Sequence, residues 1–157
     1  MTRLLESAAA TQALGAWLAK GCPPPPDGGL LLFLSGELGA GKTTLAQGFL
    51  RELGVQGTVR SPSYTLIEPY QTARGTVLHA DFFRLTTAAD AACEELREQL
   101  GAGCICLLEW PERAASQLRA PDLRVQLDLL PTGRRADCSA GTPAGHEWLR
   151  AATMTGE

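Results

Sequence analysis

This 157-residue sequence has no asparagine, and only two of its fourteen Lys and Arg residues are lysine, Lys20 and Lys42. A background that avoids lysine keeps one where chemistry requires its point charge. No stretch is apolar for long enough to cross a bilayer. The opening residues "MTRLLESAAATQ" lack the apolar core and cleavage site of a secretory leader. The five cysteines, Cys22, Cys93, Cys104, Cys106 and Cys138, are odd in number and none is paired as C-x-x-C. A disulfide framework or a zinc site is therefore not expected, and a reducing cytoplasm is. The basic surplus of a chain that holds nucleic acid by its own field is also missing, because the formal charge is -3. Hydrophobic residues at 45% and charged residues at 20% are ordinary for a globular protein. With no repeat and no linker, residues 1–157 are expected to form one domain.

What is present alternates between helix and strand signals. Residues 6–20 set Ala10, Leu14, Trp17 and Leu18 on one helical stripe, and "GCPPPPDGG" then breaks the chain. "LLLFLS" (30–35) and "CICLLEW" (104–110) are apolar on both faces, as in strands buried inside a sheet, which makes Cys104 and Cys106 packing residues. "KTTLAQGFLREL" (42–53) and residues 87–100 read as helices. "SPSYTLIEPYQT" and "GTVLHADFFR" form a predicted hairpin turning near Arg74 and Gly75. "PERAASQL" is a short helix with Pro111 in its first turn, "LRVQLDLLP" a half-buried strand, and "RRADCSA" its predicted partner. Residues 141–157 read as a loosely ordered tail. The pattern is α/β, a three-layer arrangement with a mixed central sheet flanked by helices.

Between the first buried strand and its helix lies "GELGAGKT", Gly36 to Thr43, which fits G-x-x-x-x-G-K-[ST]. Glycines there let successive backbone N–H groups converge on phosphate oxygens, and the following helix N-terminus adds its dipole. The loop residues Gly36, Glu37, Leu38, Gly39, Ala40 and Gly41 form the cradle. Lys42 reaches the β- and γ-phosphates, the Thr43 hydroxyl binds Mg2+, and Thr44 is placed for the α-phosphate. Guanine-specific P-loop proteins read the base through [NT]-K-x-D; without asparagine, and with neither lysine in T-K-x-D, ATP is the expected nucleotide.

Such a loop needs a second carboxylate on the magnesium shell, at the end of a neighbouring buried strand. Glu109 ends "CICLL" and supplies it, directly or through a water. Trp110 is suited to packing on the nucleotide, lining a partner surface, or filling the core. In "HADFFR", His79 and Asp81 share a strand face with Arg84 just beyond; Asp81 suits ordering the attacking water or a magnesium ligand, or simply a strand end. Ser61, Ser63 and Thr65 of "RSPSYT" form a hydroxyl-rich segment suited to a γ-phosphate-sensing switch or to an ordinary turn.

In order, "GELGAGKTT", "SPSYTL", "HADFFRL", "LLEWPE" and "GRR" resemble the bacterial TsaE family (formerly YjeE), the ATPase of tRNA threonylcarbamoyladenosine biosynthesis. The resemblance covers about residues 30–140; Ser63 stands where threonine is common and Phe83 where tyrosine is. It implies a small cytoplasmic P-loop ATPase, weakly active alone. Its partners would be the threonylcarbamoyl transferase subunit and that enzyme's non-catalytic paralogue, with tRNA held only indirectly and no membrane involved. ATP hydrolysis would reset the transferase complex. By motif, Lys42, Asp81 and Glu109 carry catalysis, Thr43 and Glu109 hold magnesium, and Ser61 and Thr65 fall in the switch-like segment. A small-molecule kinase is the alternative, with Asp81 as base and Arg113, Arg119 or Arg124 as a lid. A nucleotide-binding module without turnover is a third reading.

Overall fold

The computed structural model of the chain describes residues 1–86 and 89–154; residues 87 and 88, where the predicted 87–100 helix begins, and 155–157 at the end of the tail lie outside the described residues. In chain order the elements are β1 (Thr2–Leu5), α1 (Ala8–Gly21), β2 (Leu30–Gly36), α2 (Lys42–Glu52), β3 (Ile67–Thr72), β4 (Gly75–Asp81), α3 (Ala89–Gln99), β5 (Cys104–Glu109), β6 (Leu123–Leu129), β7 (Arg134–Ala140) and α4 (Pro143–Met154). The strands form one sheet in the order β1-β7-β6-β2-β5-β4-β3. Its centre is parallel, β6-β2-β5-β4, while β3 and β7 run against their neighbours.

The apolar runs decide where each strand sits. In β2, Leu30, Leu32 and Leu34 join the core beneath α1, α2 and α4, while Leu31 and Phe33 join the opposite core beneath α3. A strand that feeds two cores has no polar face, which is why its sequence does not alternate. α1 starts at a Ser7 cap whose Oγ accepts from Ala10 N at 3.1 Å. α1 and α2 pack in backbone contact, because a Cβ on Gly15 would lie 2.1 Å from Leu45 O. Three layers result, as expected for a P-loop NTPase fold.

Several expectations change. The 141–157 tail is not loose: α4 covers most of it, with Trp148 and Ala152 fully buried. Trp148 Nε1 donates to Leu18 O at 2.8 Å, tying α4 to α1. The signal was present, with Thr142 ahead of a first-position proline and two buried residues at helical spacing. β1 was not foreseen, since four residues are too few for periodicity to register. The hairpin strand β3 begins only at Ile67, because Leu66 N bonds Pro62 O at 2.7 Å and closes a turn. The predicted "PERAASQL" helix shrinks to one 3₁₀ turn, Pro111–Ala114. Among the described residues, no helix is long and apolar enough to cross a membrane.

Candidate functional site

The parallel register places the site. Leu34 of β2 sits beside Glu109 of β5, and Glu109 beside Asp81 of β4, so three strands end together at the carboxyl edge of the sheet. The chain leaving β2 turns sharply: Gly36 has φ 141° and Gly41 φ 108°, values that side chains rarely allow. At Gly36 a Cβ would also lie 2.3 Å from Leu127 O. The turn delivers the uncapped start of α2 to the strand ends. A cleft of about 390 Å³ lies there, walled by Gly39, Gly41, Lys42, Thr43 and Thr44 on one side and by Asp81, Glu109 and Trp110 on the other.

Lys42 is 4% exposed, and its Nζ donates to Gly36 O at 2.6 Å and Glu37 O at 2.8 Å. The ammonium also lies 3.9 Å from the centroid of the Trp110 ring. Burial pushes its pKa below the ordinary lysine value, with the charges of Glu109, Glu112 and Asp81 pulling it back. The Thr43 hydroxyl donates to the Glu109 carboxylate, 2.9 Å from Oε1 and 3.0 Å from Oε2. Asp81 Oδ2 accepts a short hydrogen bond from Ser61 Oγ, and Oδ1 accepts from Phe83 N at 2.8 Å. Ser61 and Ser63 are in turn 3.1 Å apart, oxygen to oxygen.

These positions sort the candidates. Lys42, Thr43, Asp81, Glu109, Ser61 and Ser63 converge on one cleft. Thr65 does not: it is exposed and lines a separate groove with Arg60 and Tyr64, because the turn before β3 faces it away. Trp110 is half-buried, so it is neither core nor free surface, and it packs against Phe83 with ring centroids 4.9 Å apart. Its backbone is held at φ 58°, an arrangement that costs a side chain about 1–2 kcal/mol. Strain of that kind collects where geometry serves a site. Of the arginines offered as a lid, Arg119 is at the wrong end, donating to Gly29 O just before β2 and to Asp122.

Two contacts had no reading in the sequence. His79 Nε2 lies 2.8 Å from Glu109 Oε1, with both groups buried. Thr11 of α1 and Arg134 of β7 flank Gly41, and Arg134 donates to Thr11 Oγ1 at 3.2 Å. Arg134 stands in the quoted "GRR", but only long-range packing brings it beside the loop.

The donor set can be weighed against a nucleotide with magnesium. Among the described residues no three metal-ligating side chains converge. That suits magnesium, which keeps several waters and takes one or two protein ligands plus phosphate oxygens. Here those ligands would be the Thr43 hydroxyl and the Glu109 carboxylate, already in contact with one another. Lys42, buried and donating to two carbonyls of its own loop, fits a phosphate anion.

The family model "Threonylcarbamoyl adenosine biosynthesis protein TsaE" matches residues 5–136. The chain belongs to the TsaE family. Its role therefore lies in tRNA threonylcarbamoyladenosine biosynthesis. The TsaE protein of Haemophilus influenzae is 36% identical over 122 residues, which span 78% of this chain and 77% of that one. That of Treponema pallidum is 35% identical over 107 residues, spanning 68% and 78%. The crystal structure of Bacillus subtilus YdiB superposes with a TM-score of 0.74 at 25% identity, covering 100% of this chain and 96% of that one. The TsaE match reaches from β1 into β7, so it includes every cleft residue described above.

Proposed function

We propose that this TsaE-family chain is a single-domain, magnesium-dependent ATPase of the cytoplasm. Its hydrolysis cycle resets the threonylcarbamoyl transferase complex. The observation that carries this reading is the Thr43–Glu109 contact, next to a buried lysine that donates to two carbonyls of its own loop. A hydroxyl from the first turn of α2 and a carboxylate from the end of β5 meet where a phosphate-bound cation would need both.

In this reading the loop N–H groups and Lys42 bind and orient the phosphates, and Lys42 offsets charge that builds on them. Thr43 and Glu109 hold magnesium, which supplies charge neutralisation of the phosphate oxygens when bound. Asp81, fixed by Ser61 and the Phe83 N–H, accepts a hydrogen bond from the attacking water and orients it. The Ser61–Ser63 segment is tied to Asp81, so a change at the γ-phosphate reaches an exposed loop that bears Tyr64. Thr11 and Arg134 flank Gly41 at the edge of the loop. The partners are the transferase subunit and its non-catalytic paralogue, which carry the tRNA; the formal charge of -3 supports an indirect role toward RNA.

The test is ADP release from ATP and magnesium by the purified chain, alone and then with the transferase pair and tRNA. Slow turnover that rises with the pair is expected. Turnover indifferent to the pair overturns the resetting role. In the same assay Glu109→Ala should abolish magnesium-dependent ADP release. Of the arginines a kinase lid would use, Arg119 serves the far end of β2 while Arg113 lies over the Phe83 and Trp110 rings, so ADP release without any phosphate acceptor is what separates the two readings.

A further inference from the structure

A fully buried histidine is left over by the roles above. His79 lies in β4, two residues before Asp81 and on the same face, with no exposed surface. In register it pairs with Leu107, so Glu109 is its diagonal neighbour across the β4–β5 ladder. Nε2 is 2.8 Å from Glu109 Oε1, and Nδ1 has no hydrogen-bond partner among the described residues. The ring's one polar tie is therefore to the carboxylate.

A carboxylate accepts hydrogen bonds and donates none, so at this distance the proton of the contact belongs to Nε2. Glu109 Oε1 then receives two donors, His79 Nε2 and the Thr43 hydroxyl, while Oε2 receives Thr43 alone. A glutamate has three side-chain torsions, and without a second anchor it could rotate about Cγ and leave the loop. The histidine, as a second anchor on Oε1, removes that freedom.

We propose that His79 is a positioning residue for the magnesium site: its Nε2–H anchors Glu109 Oε1 and leaves Oε2 as the oxygen turned to the cation. This rests on the reading of Glu109 as a magnesium carboxylate. Partners of this kind, one step behind a ligand, change metal affinity by about 10–100-fold when removed. A glutamine at the position keeps a donor where Nε2 stands, whereas leucine keeps bulk and loses it.

Two measurements test the assignment. The first uses no nucleotide: 15N spectra of histidine-labelled wild-type protein, in which His79 and His146 are the two histidines. A proton on His79 Nε2 is expected; a bare Nε2 overturns the proposal, because the contact is then not a hydrogen bond. The second measures affinity for a fluorescent ATP analogue with and without magnesium in wild type, His79→Leu, His79→Gln and Glu109→Ala. His79→Leu should keep wild-type affinity without magnesium and lose about 10–100-fold of the gain that magnesium confers. His79→Gln should recover most of that gain. A parallel fall in both affinities, or an intact magnesium gain in His79→Leu, reduces His79 to a packing residue. If H79L does not fold, H79Q decides alone: loss of the magnesium gain there overturns the proposal and its retention supports it. If Glu109→Ala keeps the gain, the magnesium role of Glu109 has failed and this proposal falls with it. If Glu109→Ala loses the gain while His79→Leu keeps it, only the positioning role is wrong.

Discussion

The two ends of the parallel sheet both bury carboxylates, and they treat them in opposite ways. Asp122, just before β6 at the amino end, is 5% exposed; Asp81 and Glu109 at the carboxyl end are 3% and 2% exposed. Burial does not distinguish them, but their partners do. Asp122 Oδ2 accepts from Leu31 N at 2.8 Å and from Arg119 Nη2 at 3.1 Å, and Oδ1 accepts from Thr142 Oγ1 at 2.7 Å. A backbone N–H, a cation and a hydroxyl complete that carboxylate and join β2, β6 and the start of α4. Glu109 has a hydroxyl and an imidazole, and Asp81 a hydroxyl and one N–H. Lys42, close enough for its pKa to feel both charges, spends its hydrogen bonds on loop carbonyls instead. A finished carboxylate holds a fold together. Glu109 and Asp81, beside a glycine loop and with fewer donors, are the carboxylates that the proposed function assigns to magnesium and water.

That contrast can be broken at either end. The largest effect is expected from Lys42→Ala, which removes the one buried cation of the loop; turnover should fall by about 10³-fold in the ADP-release assay. Asp81→Asn should slow hydrolysis by about 10²-fold while nucleotide affinity, read by fluorescence titration, changes little. Equal loss of both would make Asp81 a strut like Asp122. At the other end, Asp122→Asn keeps the shape but loses charge assistance to three donors, and should cost about 1–2 kcal/mol in urea unfolding. The matched change Glu109→Gln should be the smallest, within about 1 kcal/mol and in either direction, because no cation is lost. A large destabilisation from Glu109→Gln, with none from Asp122→Asn, would reverse the comparison.

Much of the site was legible because it is written locally. Gly36, Gly39, Gly41, Lys42 and Thr43 are fixed in spacing by one turn of backbone, and Glu109 and Asp81 could be read as ends of apolar or alternating strands. Thr65 was misplaced because a hydroxyl in a turn carries no sign of which way it faces. Trp110 stayed open for a related reason: a half-buried aromatic is decided by what lies under it, here Lys42 and Phe83. α4 was passed over although its cap and its Trp148–Ala152 spacing were in view, since its value comes from docking on α1 rather than from propensity.

The sequence by itself determined the glycine turn between β2 and α2, the α/β class and the order of the inner strands' signals, because each depends on near neighbours and on steric limits of a few residues. Tertiary structure alone decided which groups complete one another. Thr43 meets Glu109 across 66 residues, His79 meets it across 30, and Asp122 meets Leu31 across 91. Separations of that length are set by strand register and helix docking. Whether a carboxylate ends as a strut or as a cation ligand is therefore a property of the packed sheet, where the low dielectric makes every pairing count.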